Sequence, residues 1–310
     1  MNETIRKFEK SKDGVEPKAL FIGLYGPSGS GKTYSALRLA KGIQEVFGGE
    51  IAVVDTEADR ARHYSPPFEF AHYSFSAPYR SEDYLAALRQ LVAGGAKTII
   101  VDSMSHEHSG PGGVTETHDA MVAEKGQNYT FTAWRIAKAG RKKLITAMTT
   151  EFKGCAFIFC FRAKDSTDFE KKPPRKLGWM PISDDDFLFE MSLCALLGPG
   201  SEGVPTFKSD MPGEKMFLKL PVQFRQIFAD NKPLDEETGL ALATWAKGGT
   251  AQKAKEKPAD TSADFATMAR EAAQRGRDVF NAFYKNRSRD EQATLRDMKA
   301  ELEALMPAEA

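Results

Sequence analysis

The feature that most constrains this chain is the glycine-rich segment GPSGSGKT, which occupies residues 26–33. An apolar run, KALFIGLY, precedes it at residues 18–25, and apolar side chains recur at helical spacing in residues 34–47. A buried strand, a tight loop and a helix in direct succession are therefore predicted.

Short apolar runs continue to alternate with helical patterns up to residue 197. Further strands are predicted at residues 51–54, 98–101, 155–161 and 187–197, and helices at residues 81–92 and 131–150. Alternation of this kind is typical of a mainly parallel sheet flanked by helices on both faces. The predicted fold class is therefore α/β.

The pattern changes after Gly198. Two β-prone pieces at residues 205–208 and 215–220 are separated by turn sequences, which predicts a hairpin that ends the sheet. Residues 235–247 predict one more helix.

The last part of the chain predicts a separate domain. Residues 248–262, GGTAQKAKEKPADTS, contain no large apolar side chain and predict a flexible linker between a core at residues 1–247 and a domain at residues 263–310. Two amphipathic patterns in that domain predict a helical hairpin, whose second helix opens with a capping box at Ser288–Glu291. The hairpin either docks on the core or serves as a partner-binding or oligomerisation module.

The glycine-rich segment matches the whole phosphate-binding loop pattern, and it lies between a strand and a helix as that chemistry requires. Backbone N–H groups can wrap a phosphate there, at the positive end of the helix. Lys32 is expected to reach the β- and γ-phosphates of ATP, and the Thr33 hydroxyl to bind Mg²⁺. The predicted ATP-binding residues of this loop are Gly26, Ser28, Gly29, Ser30, Gly31, Lys32 and Thr33.

Carboxylates end two of the predicted strands. Asp102 follows the run TIIV and is the candidate second ligand of Mg²⁺, with an ordinary turn residue as the alternative. Ser103 follows it, where many ATPases place a glutamate, so the base is sought in the segment VVDTE. Glu57 is the candidate to deprotonate the attacking water, with Asp55 supporting it, because parallel strand ends converge on one edge. The alternative is that both start a solvated loop.

This arrangement resembles the RecA-type ATPases, whose three nucleotide motifs match GPSGSGKT, DTE and IIVDS in the same order across residues 18–220. The resemblance implies a RecA-like P-loop core in which Glu57 is the hydrolytic base and Asp102 the carboxylate beside the metal. It also implies that Tyr64, seven residues beyond Glu57, packs on the adenine; a surface tyrosine is the alternative.

Two further segments refine the resemblance. DTE, VDSMSH and FCFRAK together are similar to phage-encoded RecA-like ATPases, including the Sak group of single-strand annealing proteins. The C-terminal helices look like a segment attached to phage recombination proteins. RecA ends its fourth core strand with a glutamine that senses the γ-phosphate, whereas this chain has Arg162, the candidate to replace it as a cationic sensor.

The overall charge is balanced, with 43 basic and 43 acidic side chains, which excludes a protein that coats DNA by charge alone. Residues 133–176 nevertheless hold twelve Lys or Arg against four acids. Cations and aromatic rings in the loop after the fourth strand suit single-stranded DNA, although a solvated face with a mobile loop is the alternative. The candidate DNA-binding residues are Lys164, Lys171, Lys172, Arg175, Lys176 and Trp179.

A second long segment, residues 103–121, is rich in polar side chains. His106, His108 and His118 stand there among acids, but they have no fixed zinc spacing. We expect polar loop residues near the γ-phosphate and a DNA path, with metal ligation as the alternative.

No apolar stretch approaches the ~20 residues of a membrane helix, and the first residues lack the apolar segment of a secretory signal. Cys155, Cys160 and Cys194 lie in apolar runs and predict reduced core residues, so a cytoplasmic protein that contacts no membrane is expected.

These observations predict an ATP- and Mg²⁺-dependent ATPase that acts on single-stranded DNA in phage recombination or annealing. It is expected to form a homo-oligomer, and its C-terminal helices are expected to contact a phage recombination or single-strand-binding protein. A ring-forming helicase or loader is the first alternative, with Lys215, Lys219 and Arg225 as candidates for a residue acting in a neighbouring subunit. A small-molecule kinase is the second.

Overall fold

A computed structural model describes residues 19–248 and, near the C-terminus, residues 269–270, 272–274, 276–285, 295–296 and 298–306. The chain divides into two compact units, Met1–Lys253 and Ala254–Ala310. The predicted linker at 248–262 lies outside the described residues except for Gly248, so the predicted domain boundaries stay predictions.

The described residues of the first unit form seven strands. They are β1 (Leu20–Gly26), β2 (Glu50–Asp55), β3 (Ala71–Ser74), β4 (Ala96–Asp102), β5 (Ala156–Asp168), β6 (Arg175–Pro181) and β7 (Leu193–Leu196). Six of them lie in the order β3-β2-β4-β5-β1-β7, and every neighbouring pair in that order is parallel. The seventh, β6, pairs antiparallel with the outer half of β5. The predicted α/β class with a mainly parallel sheet is confirmed.

Nine α-helices accompany these strands in residues 19–248. They are α1 (Lys32–Phe47), α2 (Ser81–Ala93), α3 (Ser105–Ser109), α4 (Val114–Lys125), α5 (Thr130–Ala137), α6 (Ala139–Thr150), α7 (Asp185–Phe189), α8 (Pro212–Phe217) and α9 (Glu236–Ala246). A short 3-10 helix, Arg60–Tyr64, follows β2.

The sheet has a hydrophobic core on each face. One core joins alternate residues of the central strands to α1 and α9, and it includes Leu24, Leu37 and Leu242. The other joins the remaining strand residues to α2 and α6, and it includes Phe157 and Leu144. Both faces of each central strand are therefore buried, which is why these strands appear in the sequence as continuous apolar runs. All three cysteines are buried and free.

Two predictions around the sheet are wrong. Residues 187–197 do not form one strand, because Asp184 caps α7 by accepting the Asp186 N–H, and β7 begins only at Leu193. The predicted hairpin at 205–208 and 215–220 is replaced by α8, and only single bridges join these pieces to β7. Pro212 favours this helix because its fixed φ suits a first turn.

Other predictions were incomplete. Residues 131–150 form two helices, α5 and α6, which meet at Lys138. The polar segment at 103–121 contains α3 and most of α4. The segment predicted to be a loop after the fourth strand instead extends β5 to Asp168 and returns as β6, and the two strands form a β-hairpin. The short edge strand β3 was not predicted.

The second unit contains the helices Arg277–Lys285 and Lys299–Leu305. Ala269, Ala273, Leu295 and Leu302 form its buried cluster. The capping box at 288–291 lies outside the described residues, and the predicted hairpin arrangement stays a prediction. No helix among the described residues of the chain combines the length and the apolar character needed to cross a bilayer.

The contact between α1 and α9 depends on two glycines. A Cβ at Gly42 would lie 1.8 Å from the Glu236 carbonyl oxygen, and one at Gly239 would lie 2.1 Å from the Leu39 carbonyl oxygen. In an ordinary helix interior, replacing glycine by alanine stabilises by about 1 kcal/mol. Here we expect Gly42→Ala to lower the free energy of unfolding by about 1–3 kcal/mol, measured by urea denaturation.

The matched control is Gly198→Ala, because a methyl group there meets nothing within 4 Å. Its free energy of unfolding should stay within about 0.5 kcal/mol of the original. A Gly42→Ala protein as stable as the control would contradict the close approach of α1 and α9.

Candidate functional site

The phosphate-binding loop joins β1 to α1 at the carboxyl edge of the sheet. Gly29 and Gly31 have φ values of 78° and 85°, in the left-handed region that favours glycine. Gly26 has a different role, because a Cβ there would lie 2.1 Å from the Leu197 carbonyl oxygen. The glycines of the motif therefore set the turn of the loop and its close approach to the end of β7.

Lys32 is the first residue of α1, and its side chain bends back over the loop. Its Nζ donates to the Gly26 carbonyl at 3.0 Å and to the Pro27 carbonyl at 2.7 Å. Burial lowers the pKa of this amine. The ammonium is thus held where the loop N–H groups and the helix N-terminus also favour an anion.

Thr33 and Asp102 are in direct contact. The Thr33 hydroxyl donates to Asp102 Oδ2 at 2.5 Å, across 69 residues of sequence. Asp102 is the last residue of β4, and burial raises its pKa although the bond from Thr33 opposes this effect. A hydroxyl and a buried carboxylate are oxygen ligands that suit Mg²⁺.

Glu57 lies just beyond β2 and is bound by Arg162. The guanidinium donates to both carboxylate oxygens, at 2.7 Å and 2.5 Å, across 105 residues. Burial alone would raise the pKa of Glu57, but the hydrogen bonds and charge of Arg162 outweigh it, so this pKa lies below its ordinary value. Glu57 is therefore ionised at neutral pH, and Arg162 occupies both of its oxygens.

Asp55 holds the backbone that carries Glu57. Its Oδ1 accepts the Glu57 N–H at 2.7 Å, and its Oδ2 accepts the Ala61 N–H at 2.8 Å. His72 Nε2 also contacts Oδ2, at 3.1 Å, and Arg62 Nε donates to the other ring nitrogen, so Nε2 carries the proton. Asp55 thus has the supporting position expected of it.

The same carboxylate belongs to a group that was not anticipated. Ligand atoms of Asp55, Asp59 and His72 lie within 4.8 Å of one another. His72 contacts Asp55 at 3.1 Å and lies 3.8 Å from Asp59, and Asp55 accepts two loop N–H groups, so this group supports the Glu57 segment. Only β3 brings His72 here, and because that strand was missed, the group was missed as well.

The phosphate loop, Glu57, Asp102 and Arg162 line one cavity of about 660 Å³, a volume within the ordinary range for small-molecule sites. Tyr64 lies in its wall, beside Tyr34 at a ring distance of 6.2 Å. Gly26 does not line the cavity. The predicted residues in the wall are Ser28, Gly29, Ser30, Gly31, Lys32, Thr33, Glu57, Tyr64, Asp102 and Arg162; Arg60 and His63 join them.

The candidate DNA residues lie on the β5–β6 hairpin, outside this wall. Lys164 is on β5, Arg175 and Lys176 are on β6, and Lys171 and Lys172 are at the turn between them. All five side chains are exposed. Trp179 differs, because it is half-buried against the core of the α2 face, and its backbone N–H donates to Glu214 Oε1 at 2.8 Å. The exposed aromatic ring of the hairpin is Phe169, at 77%.

The three histidines of the polar segment have separate roles. His106 Nδ1 contacts the Thr56 hydroxyl at 2.6 Å, beside the strand ends. His108 contacts Arg141, and His118 stacks on Trp134 at 3.9 Å. In the sequence, the only sign of the contact between His106 and Thr56 was the polar hydroxyl of Thr56 between the two acids of DTE.

Comparison with solved structures finds weak similarity. A similar solved structure is that of the KaiC-like protein PH0186 from the hyperthermophilic archaeon Pyrococcus horikoshii OT3, at 20% identity and a TM-score of 0.30. The match covers 48% of this chain and 62% of that protein. Neither a family model nor a curated protein matches the sequence.

Asp55 offers a direct test of how the Glu57 segment is supported. We expect Asp55→Asn to lower the free energy of unfolding by about 1–3 kcal/mol, because one backbone N–H would then face the amide NH₂ instead of an acceptor. Asp210→Asn is the control, since Asp210 is exposed and is not part of this group. Urea denaturation that ranks the two variants equally would contradict this role of Asp55.

Proposed function

We propose that this chain is a RecA-like P-loop ATPase that binds ATP with Mg²⁺, hydrolyses it, and acts on single-stranded DNA. The observation that carries the proposal is the convergence of Lys32, Thr33, Asp102 and Glu57 on one cavity at the carboxyl edge of the sheet. That edge is where open parallel sheets bind ligands.

The residues divide the work of hydrolysis. The loop N–H groups and Lys32 bind the phosphates, and Thr33 and Asp102 are the residues that would hold Mg²⁺. When bound, this ion supplies neutralisation of the charge that develops on the phosphate oxygens. Glu57 orients the attacking water and accepts its proton, for which an ionised carboxylate is required.

Arg162 restrains this base in the structure. Both oxygens of Glu57 accept from its guanidinium, so the carboxylate has to be released from at least one of these bonds before it binds a water. A γ-phosphate is a stronger anionic partner for the same guanidinium. We infer that nucleotide draws Arg162 away from Glu57, which matches the sensor role expected from the sequence.

Glu57→Gln tests the base. The amide cannot accept the proton, so ATP turnover should fall by about 10²- to 10⁴-fold, whereas the Kd of a fluorescent ATP analogue should change little. Glu69→Gln is the matched control, because Glu69 is exposed and lies outside the cavity lining. Full turnover by the Glu57→Gln protein would sink the assignment.

We propose that single-stranded DNA is the polymer that this ATPase binds and that stimulates its turnover. The hairpin continues directly from the residue that binds Glu57, and it presents exposed cations together with the exposed ring of Phe169. Cations bind phosphates and rings stack on bases, which is the chemistry of single-strand binding. The resemblance to phage annealing ATPases supports annealing or recombination as the reaction served.

Removing two hairpin charges tests the DNA contact. We expect Lys171→Ala/Lys172→Ala to reduce the salt dependence of single-stranded DNA binding, lowering the slope of log K against log salt by about 1.4. The fold stimulation of ATPase by DNA should fall with it. Lys41→Ala/Lys208→Ala removes two exposed charges elsewhere and should leave both unchanged. An unaltered slope in the hairpin variant, measured by fluorescence anisotropy, would contradict the contact.

A further inference from the structure

A second basic surface lies away from the nucleotide cavity. It is a groove between α2 and the α5–α6 pair, with a volume of about 1000 Å³. Aliphatic side chains such as Leu85, Ile136 and Ile145 contribute to its lining. The cations in the lining are Arg89, Arg135, Lys138, Arg141, Lys142 and Lys143.

Half of these cations are compensated by two of the three acids in the lining. Arg89 binds Glu151 at 2.6 Å. Lys138 and the buried Arg141 both bind Asp184, at 2.7 Å and 3.1 Å. The other three cations, Arg135, Lys142 and Lys143, form no ion pair with any residue that the structure describes. All three are exposed, so the groove has an uncompensated positive charge.

An exposed aromatic ring stands in line with these charges. Phe131 is 83% exposed, and Arg135, Lys138 and Lys142 follow it at helical spacings of four, seven and eleven residues. Hydrogen bonds from Lys138 N to Trp134 O and from Lys142 N to Lys138 O carry the helical pattern through the junction of α5 and α6. Phe131 therefore shares a face of the helix pair with Arg135, Lys138 and Lys142.

The groove adjoins the base of the β5–β6 hairpin. Asp184, which Lys138 and Arg141 bind, comes three residues after the end of β6. His108 lies at the same place: burial and then the charge of Arg141 lower its pKa to about 4, and the charges of Lys138 and Lys164 act in the same direction. A cation of the hairpin and a cation of the groove thus act on one side chain.

We propose that this groove is a second contact surface for single-stranded nucleic acid, on which Phe131 stacks with a base and Arg135, Lys142 and Lys143 bind successive phosphates. The strand continues here from the hairpin, so the inference rests on the proposed function. An aromatic ring among uncompensated cations is the combination that single-strand binding uses, and it favours a nucleic acid over an acidic peptide.

The test is anisotropy of a labelled oligo(dT) of about 30 nucleotides, titrated at several salt concentrations with the full chain. Arg135→Ala/Lys142→Ala/Lys143→Ala should lower the slope of log K against log salt by about 2, which corresponds to three phosphate contacts. Phe131→Ala should weaken binding about tenfold and leave the slope unchanged, because a stacking ring carries no charge. The matched control is Lys41→Ala/Lys208→Ala/Lys232→Ala, which removes three exposed charges elsewhere and should retain the original slope.

The outcomes separate this inference from the proposed function. If the original protein binds oligo(dT) and only the hairpin variant loses affinity, the groove inference is overturned and the proposed function stands. If the original protein does not bind oligo(dT) at all, both fail. A poly-glutamate peptide that binds more tightly than oligo(dT), and that loses binding in the groove variant, would assign the groove to an acidic protein and overturn the inference.

Discussion

The parallel register of the central strands is the constraint on which the rest of the structure depends. Asp55 of β2 is paired with Asp102 of β4, and Asp102 is paired with Cys160 of β5. Gly26, which opens the phosphate loop, is paired with Arg162 on the other side of β5. Asp55, Asp102, Gly26 and Arg162 are remote in sequence, and the pairing brings them to one edge within two residues of each other along β5. A slip of one residue in any pairing would turn a strand's side chains to the opposite face and separate these groups.

Charge is distributed around this edge in mutually compensated pairs. Arg162 binds Glu57 at the cavity, whereas Arg141 binds Glu107, at 2.5 Å, where both side chains are only 2% exposed. The two pairs differ in what they allow. Arg162 is half exposed and can exchange its partner for another anion, but removing one member of the buried pair would leave an isolated charge, at a cost of about 3–5 kcal/mol. The first pair suits a reversible contact and the second a permanent support.

The parts that the sequence predicted well are those specified by local pattern. The phosphate loop, its helix and the apolar strands follow from spacing alone, and the convergence of Glu57 and Asp102 follows from the parallel arrangement. The rest depends on partners distant in the chain. Residues 163–181 are mostly polar and contain three prolines, so nothing local indicated a β-hairpin. The burial of Trp179 against the core depends on that pairing. His72 reaches Asp55 only through a four-residue edge strand, too short to give a pattern.

The length of β5 has a mechanical meaning. It runs for thirteen residues without interruption, from Ala156 in the core to Asp168 in the hairpin, and Arg162 is its midpoint. The inner half is clamped between β1 and β4, and the outer half is paired with β6 alone. The strand is therefore held in the sheet at one end and extends into the hairpin at the other. Arg162, which binds Glu57, lies where these two halves meet. A force that bends the hairpin is transmitted along β5 to Arg162, so the nucleotide cavity is the first site that it would disturb.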